Sequence, residues 1–124
     1  MAGESPVRGV VAHKSLPNRS PAHGCAENSV FPWPEAGLPP FGAMNCCIAA
    51  GARSDPDSHN QDEVAFVYRG SGELLTGSER TALRAGDMIF LPRNVEHVFS
   101  NTGATEDLAF FSVWWPRIEP PNLP

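Results

Sequence analysis

The 124-residue sequence predicts an all-β fold, and three observations carry that reading. Prolines gather at the two ends, the middle is a series of short β-prone runs punctuated by Gly, Asn and Asp, and no window holds a sustained helical stripe. Seven of the thirteen prolines lie in residues 1–40 and four in 116–124, so only Pro56 and Pro92 fall between Phe41 and Trp115. Proline removes a ladder donor and breaks helix interiors, so regular structure belongs where proline is scarce. The chain therefore divides into a Pro-rich, extended N-terminal arm over 1–40, a β core over 41–115 and a tail over 116–124. The arm carries Val30, Phe31, Trp33, Leu38 and Phe41. These residues predict that its second half packs on the core, with residues 1–28 expected to be mobile.

Each run in the core has its own signal. Met44 to Ala50 is a plausible first strand. Val64 to Tyr68 is β-branched and aromatic, and the Arg-Gly-Ser-Gly that follows is a turn signal. Leu74, Leu75 and residues 81–83 predict a hairpin around Gly77. Met88 to Leu91 is a short apolar run after Ala-Gly-Asp, and Glu96 to Ser100 follows a polar turn at Arg93–Asn94. Leu108 to Trp115 is the longest β-prone segment and stops against Pro116. Short strands at this spacing suit a sandwich or barrel.

Composition excludes several classes of function. Nine basic against fourteen acidic side chains give a net charge of −5, with Lys14 the sole lysine. Affinity for a phosphate backbone comes from Lys and Arg, so no nucleic-acid partner is expected. No apolar stretch approaches the roughly 18 residues of a membrane span, and no basic-then-apolar leader is visible, so no membrane partner is expected and the expected location is cytoplasmic. Cys25, Cys46 and Cys47 are odd in number and two are adjacent, a poor basis for disulfides. Reduced thiols are the expectation.

The chemistry concentrates in His59, Glu63 and His97. Two imidazoles and a carboxylate, with positions left for water or substrate, form a ligand set for divalent iron, manganese, nickel or catalytic zinc. Asp57, two residues before His59, shares its face if that segment is extended, and would act as a fourth ligand or a base. In a straight strand His59 and Glu63 would stand about 13 Å apart, so the chain must bend at the turn-tolerant residues 60–62. His97 must arrive from a separate strand.

At these spacings the sequence resembles the cupins. Their first motif reads Gly, five residues, His-x-His, three or four residues, Glu, six residues, Gly. Gly51, His59, Glu63 and Gly70 match it, with Asp57 in place of the first histidine. The second motif reads Gly, five residues, Pro-x-Gly, two residues, His, three residues, Asn. Gly86, Pro92, His97 and Asn101 match, with Asn94 in place of the second glycine. The resemblance covers 51–101 and implies a double-stranded β-helix, a small jelly-roll barrel with a metal or ligand pocket inside. Asn94 is a sensible substitute, because asparagine tolerates the left-handed conformation a glycine turn requires. Asp57 would make a site of two histidines and two carboxylates.

Strand parity sketches the surroundings. Phe99 and Asn101 share a face with His97, and Ala65 and Val67 share one with Glu63, predicting a mainly apolar pocket. Gln61 has the parity of the ligands but is expected to stay in the turn. Phe66, Tyr68, Phe90 and the C-terminal tryptophans are available as pocket walls. Of Cys46 and Cys47, and in Phe110–Phe111 and Trp114–Trp115, one member should face in and the other out. His23-Gly-Cys25 resembles a metal motif but sits in the arm without partners. An outward aromatic stripe predicts a homodimer. Two functions remain open. One is a metal-dependent enzyme on a small organic metabolite, by oxygenation, isomerisation or lyase chemistry, with Asp57 and Glu63 as catalytic groups. Compact relatives also occur in secondary metabolism. The other is a non-catalytic small-molecule-binding module.

Overall fold

The computed structural model describes residues 20–22, 24–31 and 39–117. Trp33, Leu38 and His23, the stretch 1–19 and the tail beyond 117 lie outside the described residues. Within them every regular element is a strand: β1 (Ser20–Ala22), β2 (Cys25–Ser29), β3 (Gly42–Ile48), β4 (Asp62–Arg69), β5 (Ser71–Thr76), β6 (Glu79–Arg84), β7 (Met88–Leu91), β8 (Val98–Ser100) and β9 (Leu108–Trp115). None of the described residues forms a helix long and apolar enough to cross a membrane.

Two antiparallel sheets stack as a jelly roll. One has the order β1-β2-β3-β9-β4-β7 and the other β6-β5-β8. Strand β9 sits centrally because its inward residues Leu108, Phe110 and Ser112 are fully buried and it has partners on both edges. Alternation decides the facing of β4: Glu63, Ala65 and Val67 are buried, while Phe66 and Tyr68 look outward. Phe90 likewise faces solvent, at 57% exposure, so neither it nor its β4 neighbours Phe66 and Tyr68 line the interior offered by the sequence reading. The inward residues of both sheets form one core that includes Ile48, Val67, Leu74, Leu91, Leu108 and Phe110. Phe99 of β8 stacks on Phe110 of β9 with centroids 4.1 Å apart, joining the sheets.

The arm departs from expectation. Within the stretch 1–28 expected to be mobile, Ser20–Ala22 form β1 and Cys25 begins β2, and the two extend the larger sheet, with Glu27 opposite Cys46 and Ala26 opposite Cys47. A proline-free window between Pro21 and Pro32 was the available signal. Gly42 lets the Trp114 indole lie across β3, where a Cβ would collide with the ring.

Residues 51–57 run irregularly beside β8. Ser54 donates its amide to Phe99 O at 2.8 Å, Asn101 donates to Ala52 O at 2.9 Å, and Asp57 and His97 exchange two backbone bonds of 3.1 and 2.9 Å. Asn101, 2% exposed, closes this seam. Its amide donates to Ile48 O at 2.9 Å and Glu106 O at 2.8 Å, and its Oδ1 accepts from Gly103 N at 2.9 Å. Asn101→Leu removes all three side-chain bonds to the backbone, each loss costing about 1 kcal/mol, and should lower unfolding stability by about 3 kcal/mol in a urea titration.

Candidate metal and ligand site

The seam beside β8 delivers the polar residues of the site. Asp57 and His97 are direct antiparallel partners, so their side chains leave the same face. After Asp57 the chain passes His59, bends at residues 60–61 and enters β4 at Asp62. That bend brings His59 Nε2 to 2.9 Å from Glu63 Oε1, as the spacing argument required. The Asn94 amide donates to His59 O at 2.7 Å, tying the turn ahead of His97 to the backbone of His59.

Backbone carbonyls set the two imidazoles. Nδ1 of His59 lies 3.2 Å from Gln61 O, and Nδ1 of His97 lies 3.1 Å from Val95 O. A carbonyl only accepts, so Nδ1–H donates in both rings and Nε2 is the atom left for a ligand. In His59 that Nε2 meets a carboxylate, so a proton or a cation must sit between the two. The rings stand edge to face with centroids 5.8 Å apart. Ligand atoms of Asp57, His59 and His97 all lie within 4.8 Å of one another, which makes these residues a candidate metal site. One carboxylate and two imidazoles suit a divalent first-row cation. Glu63 connects to this group through His59.

These residues open onto a cavity of about 320 Å³, at the small end of ligand pockets. Asp57, His59, Glu63 and His97 form one part of its wall, Phe99, Phe110 and Trp114 the apolar part. Gln61 also lines it, and its amide donates to Pro116 O at 2.9 Å. Asn101 and Val67, expected in the pocket, are not in the lining: parity placed them inward, but both are consumed by the packed core. Among the described residues, four carboxylate side chains, Glu27, Asp55, Asp57 and Glu63, line the cavity, and no Lys or Arg does.

The alternation expected at Phe110–Phe111 and Trp114–Trp115 holds, with Phe110 and Trp114 in the wall and Phe111 and Trp115 more exposed. Cys46 faces the cavity, but Cys47 on the opposite side of β3 is buried too, at 6% exposure. Sequence reasoning missed Cys25, Glu27 and Ser29, which line the same cavity from β2. Their period-2 spacing was visible; their partner strand was not.

Comparison with known proteins settles the family. The cupin domain model matches residues 44–114, more than half of the chain. The chain belongs to the cupin family. An uncharacterized protein of Streptomyces coelicolor is 34% identical over 69 residues, 56% of this chain and 64% of its own length, so the matched part spans less than two thirds of that relative. A cupin 2 conserved barrel domain protein from Salinispora arenicola superposes with a TM-score of 0.79 at 25% identity, over 86% of this chain and 90% of that one. The plu4264 protein from Photorhabdus luminescens superposes with a TM-score of 0.76 at 26% identity, over 86% and 88%.

Both departures from the cupin motifs have structural counterparts. Asn94 takes φ of 66°, the single positive φ outside glycine among the described residues. Asp57, exposed at the edge of the cavity, occupies the position of the first motif histidine and stands beside His97.

A further contact fixes the turn that precedes His97. Asp62 accepts from the Arg93 amide at 3.1 Å and from its guanidinium at 3.5 and 3.4 Å. The amide first, and the guanidinium second, hold the Asp62 carboxyl below its usual range. Folding thus weakens proton binding there, so the pair stabilises the fold above the ordinary carboxylate range and loses that contribution as pH falls through the lowered value. Arg93→Ala should return the Asp62 carboxyl toward its ordinary midpoint in an NMR titration, although the backbone amide retains part of the effect.

Proposed function

We propose that this cupin is a metal-dependent enzyme acting on a small organic metabolite in the barrel cavity. The observation that carries the reading is the convergence of Asp57, His59 and His97 within 4.8 Å at the wall of that cavity, with Glu63 held against His59. Asp57, His59, Glu63 and His97 would hold the cation, in a donor set of two nitrogens and two carboxylates that suits manganese or iron and also admits zinc or nickel. When bound, such a cation polarises a substrate oxygen and accepts the charge that develops there.

The chain's own residues do the rest. Gln61 O and Val95 O keep the two rings in one tautomer, so both Nε2 atoms are ready for a ligand. Glu63 Oε1 holds His59 Nε2 at 2.9 Å, and Asp57 at the exposed edge can exchange protons between substrate and solvent when it is not a ligand. Phe99, Phe110 and Trp114 exclude water from one side. A wall that is acidic and holds no Lys or Arg among the described residues repels phosphorylated or multiply anionic compounds, so an uncharged or singly charged substrate fits best.

Metal analysis tests the reading. Protein purified without chelator should carry about one equivalent of a divalent metal in this site, and His97→Ala should weaken its retention by about 100-fold. Chelation should lower the midpoint of thermal unfolding, and re-addition of metal should restore it. A metal-free protein that binds small ligands as tightly as the loaded one would replace the enzyme by a binding module.

The same proposal includes a homodimer. Phe66 and Tyr68 of β4, Met88 and Phe90 of β7 and Phe111 of β9 are exposed on one outer face, with Phe66 paired to both Met88 and Phe111. A second copy is the natural cover for this apolar face. Phe90→Glu should convert the dimer to monomer in sedimentation velocity without altering the metal content.

A further inference from the structure

A second cluster of metal-ligating atoms, distinct from the Asp57–His59–His97 group, lines the same cavity. Glu27 of β2 lies directly opposite Cys46 of β3, and Cys25 lies two residues back on the same face. The two sulfurs and a Glu27 oxygen are all within 4.8 Å of one another, and Cys46 Sγ is 3.9 Å from Glu27 Oε2. Both thiols are buried, at 7% and 1% exposure, yet both belong to the cavity wall, so a small ion can reach them. No disulfide joins them. Cys25 is diagonal to Cys46 across the strand pair, where Cα atoms stand farther apart than a disulfide usually spans. A group that bridges the sulfurs suits this spacing better than a bond between them.

We propose that Cys25, Cys46 and Glu27 form a site for a thiophilic divalent cation such as zinc, separate from the Asp57–His59–His97 group. Tetrahedral zinc with sulfur at about 2.3 Å places two sulfurs about 3.8 Å apart, and sulfur and carboxylate oxygen about 3.5 Å apart. The 3.9 Å between Cys46 and Glu27 is already close to that value. Soft sulfur donors distinguish this site from the nitrogen and oxygen site of Asp57, His59 and His97. The fourth position faces the cavity, open to water or to a ligand.

A cation here competes with a proton. A hydrogen bond with Cys25, then burial, then repulsion from Cys25, Glu27 and Cys47 push the Cys46 thiol far above its usual range. Without a cation Cys46 therefore keeps its proton. Binding forms two metal–sulfur bonds and one metal–oxygen bond, and releases the two thiol protons to solvent. No electron is transferred. Cys47 provides an internal control, because it is a neighbouring buried thiol absent from the cluster.

Cobalt(II) titration of the full chain under reducing conditions tests the site. Wild type and Cys47→Ser should develop a near-ultraviolet thiolate-to-cobalt charge-transfer band, and so should His97→Ala. Cys46→Ser and Cys25→Ser should lose the band, and Glu27→Gln should weaken cobalt binding by about tenfold. Cadmium NMR of unmutated protein gives a readout independent of variant folding: a strongly downfield resonance, expected for thiolate ligation, should be present. A cobalt complex with no thiolate band, a band lost equally in Cys47→Ser, or a cadmium resonance in the nitrogen and oxygen range alone would overturn the proposal. Persistence of the band in His97→Ala separates this site from the histidine site, so either can fail without the other.

Discussion

The reciprocal pair of backbone bonds between Asp57 and His97 is the constraint on which the rest of the site depends. Those two bonds, 3.1 and 2.9 Å long, join segments forty residues apart and aim two side chains at one point. The rungs above them, from Ser54 to Phe99 and from Asn101 to Ala52, keep the seam in register. A slip of one residue would turn Asp57 and His97 to opposite faces. The Asn101 amide resists such a slip because it holds β3, the end of β8 and the following loop at once.

From that seam the site grows outward through contacts that are individually modest. His59 is held at its carbonyl by Asn94 and at Nδ1 by Gln61, and Glu63 is held by β4 pairing opposite Leu91 and Trp114. The rings of His59, His97, Phe99 and Phe110 follow one another at 5.8, 6.1 and 4.1 Å, from the polar group down into the core. The imidazoles are therefore braced on one side by packed aromatics. That arrangement limits their rotamers, which is what a preorganised ligand set requires.

The electrostatic character of the cavity follows from what lines it. Among the described residues its wall holds four carboxylates and two buried thiols and no Lys or Arg, which favours protons and cations as partners for negative charge. The Cys46 thiol is raised first by its hydrogen bond with Cys25 and by burial, with Glu27 adding to the effect, and Glu63 meets His59 at 2.9 Å. The same composition disfavours a strongly anionic guest. Charge balance thus links cation binding and substrate preference through one wall.

The sequence alone determined the all-β class, the strand at Leu108–Trp115, the left-handed turn at Asn94 and the need for a bend between His59 and Glu63, because each is local. Proline spacing, period-2 alternation and the sterics of a single residue act within a few positions of the chain. The tertiary structure decided that Phe66, Tyr68 and Phe90 face outward, that Asn101 and Val67 serve the core, and that β2 joins the larger sheet. It also placed Cys25 and Glu27 against Cys46. Those outcomes depend on which strand lies beside which and in what register. Packing of both sheets around a common interior selects that arrangement, and no local pattern in the chain encodes it.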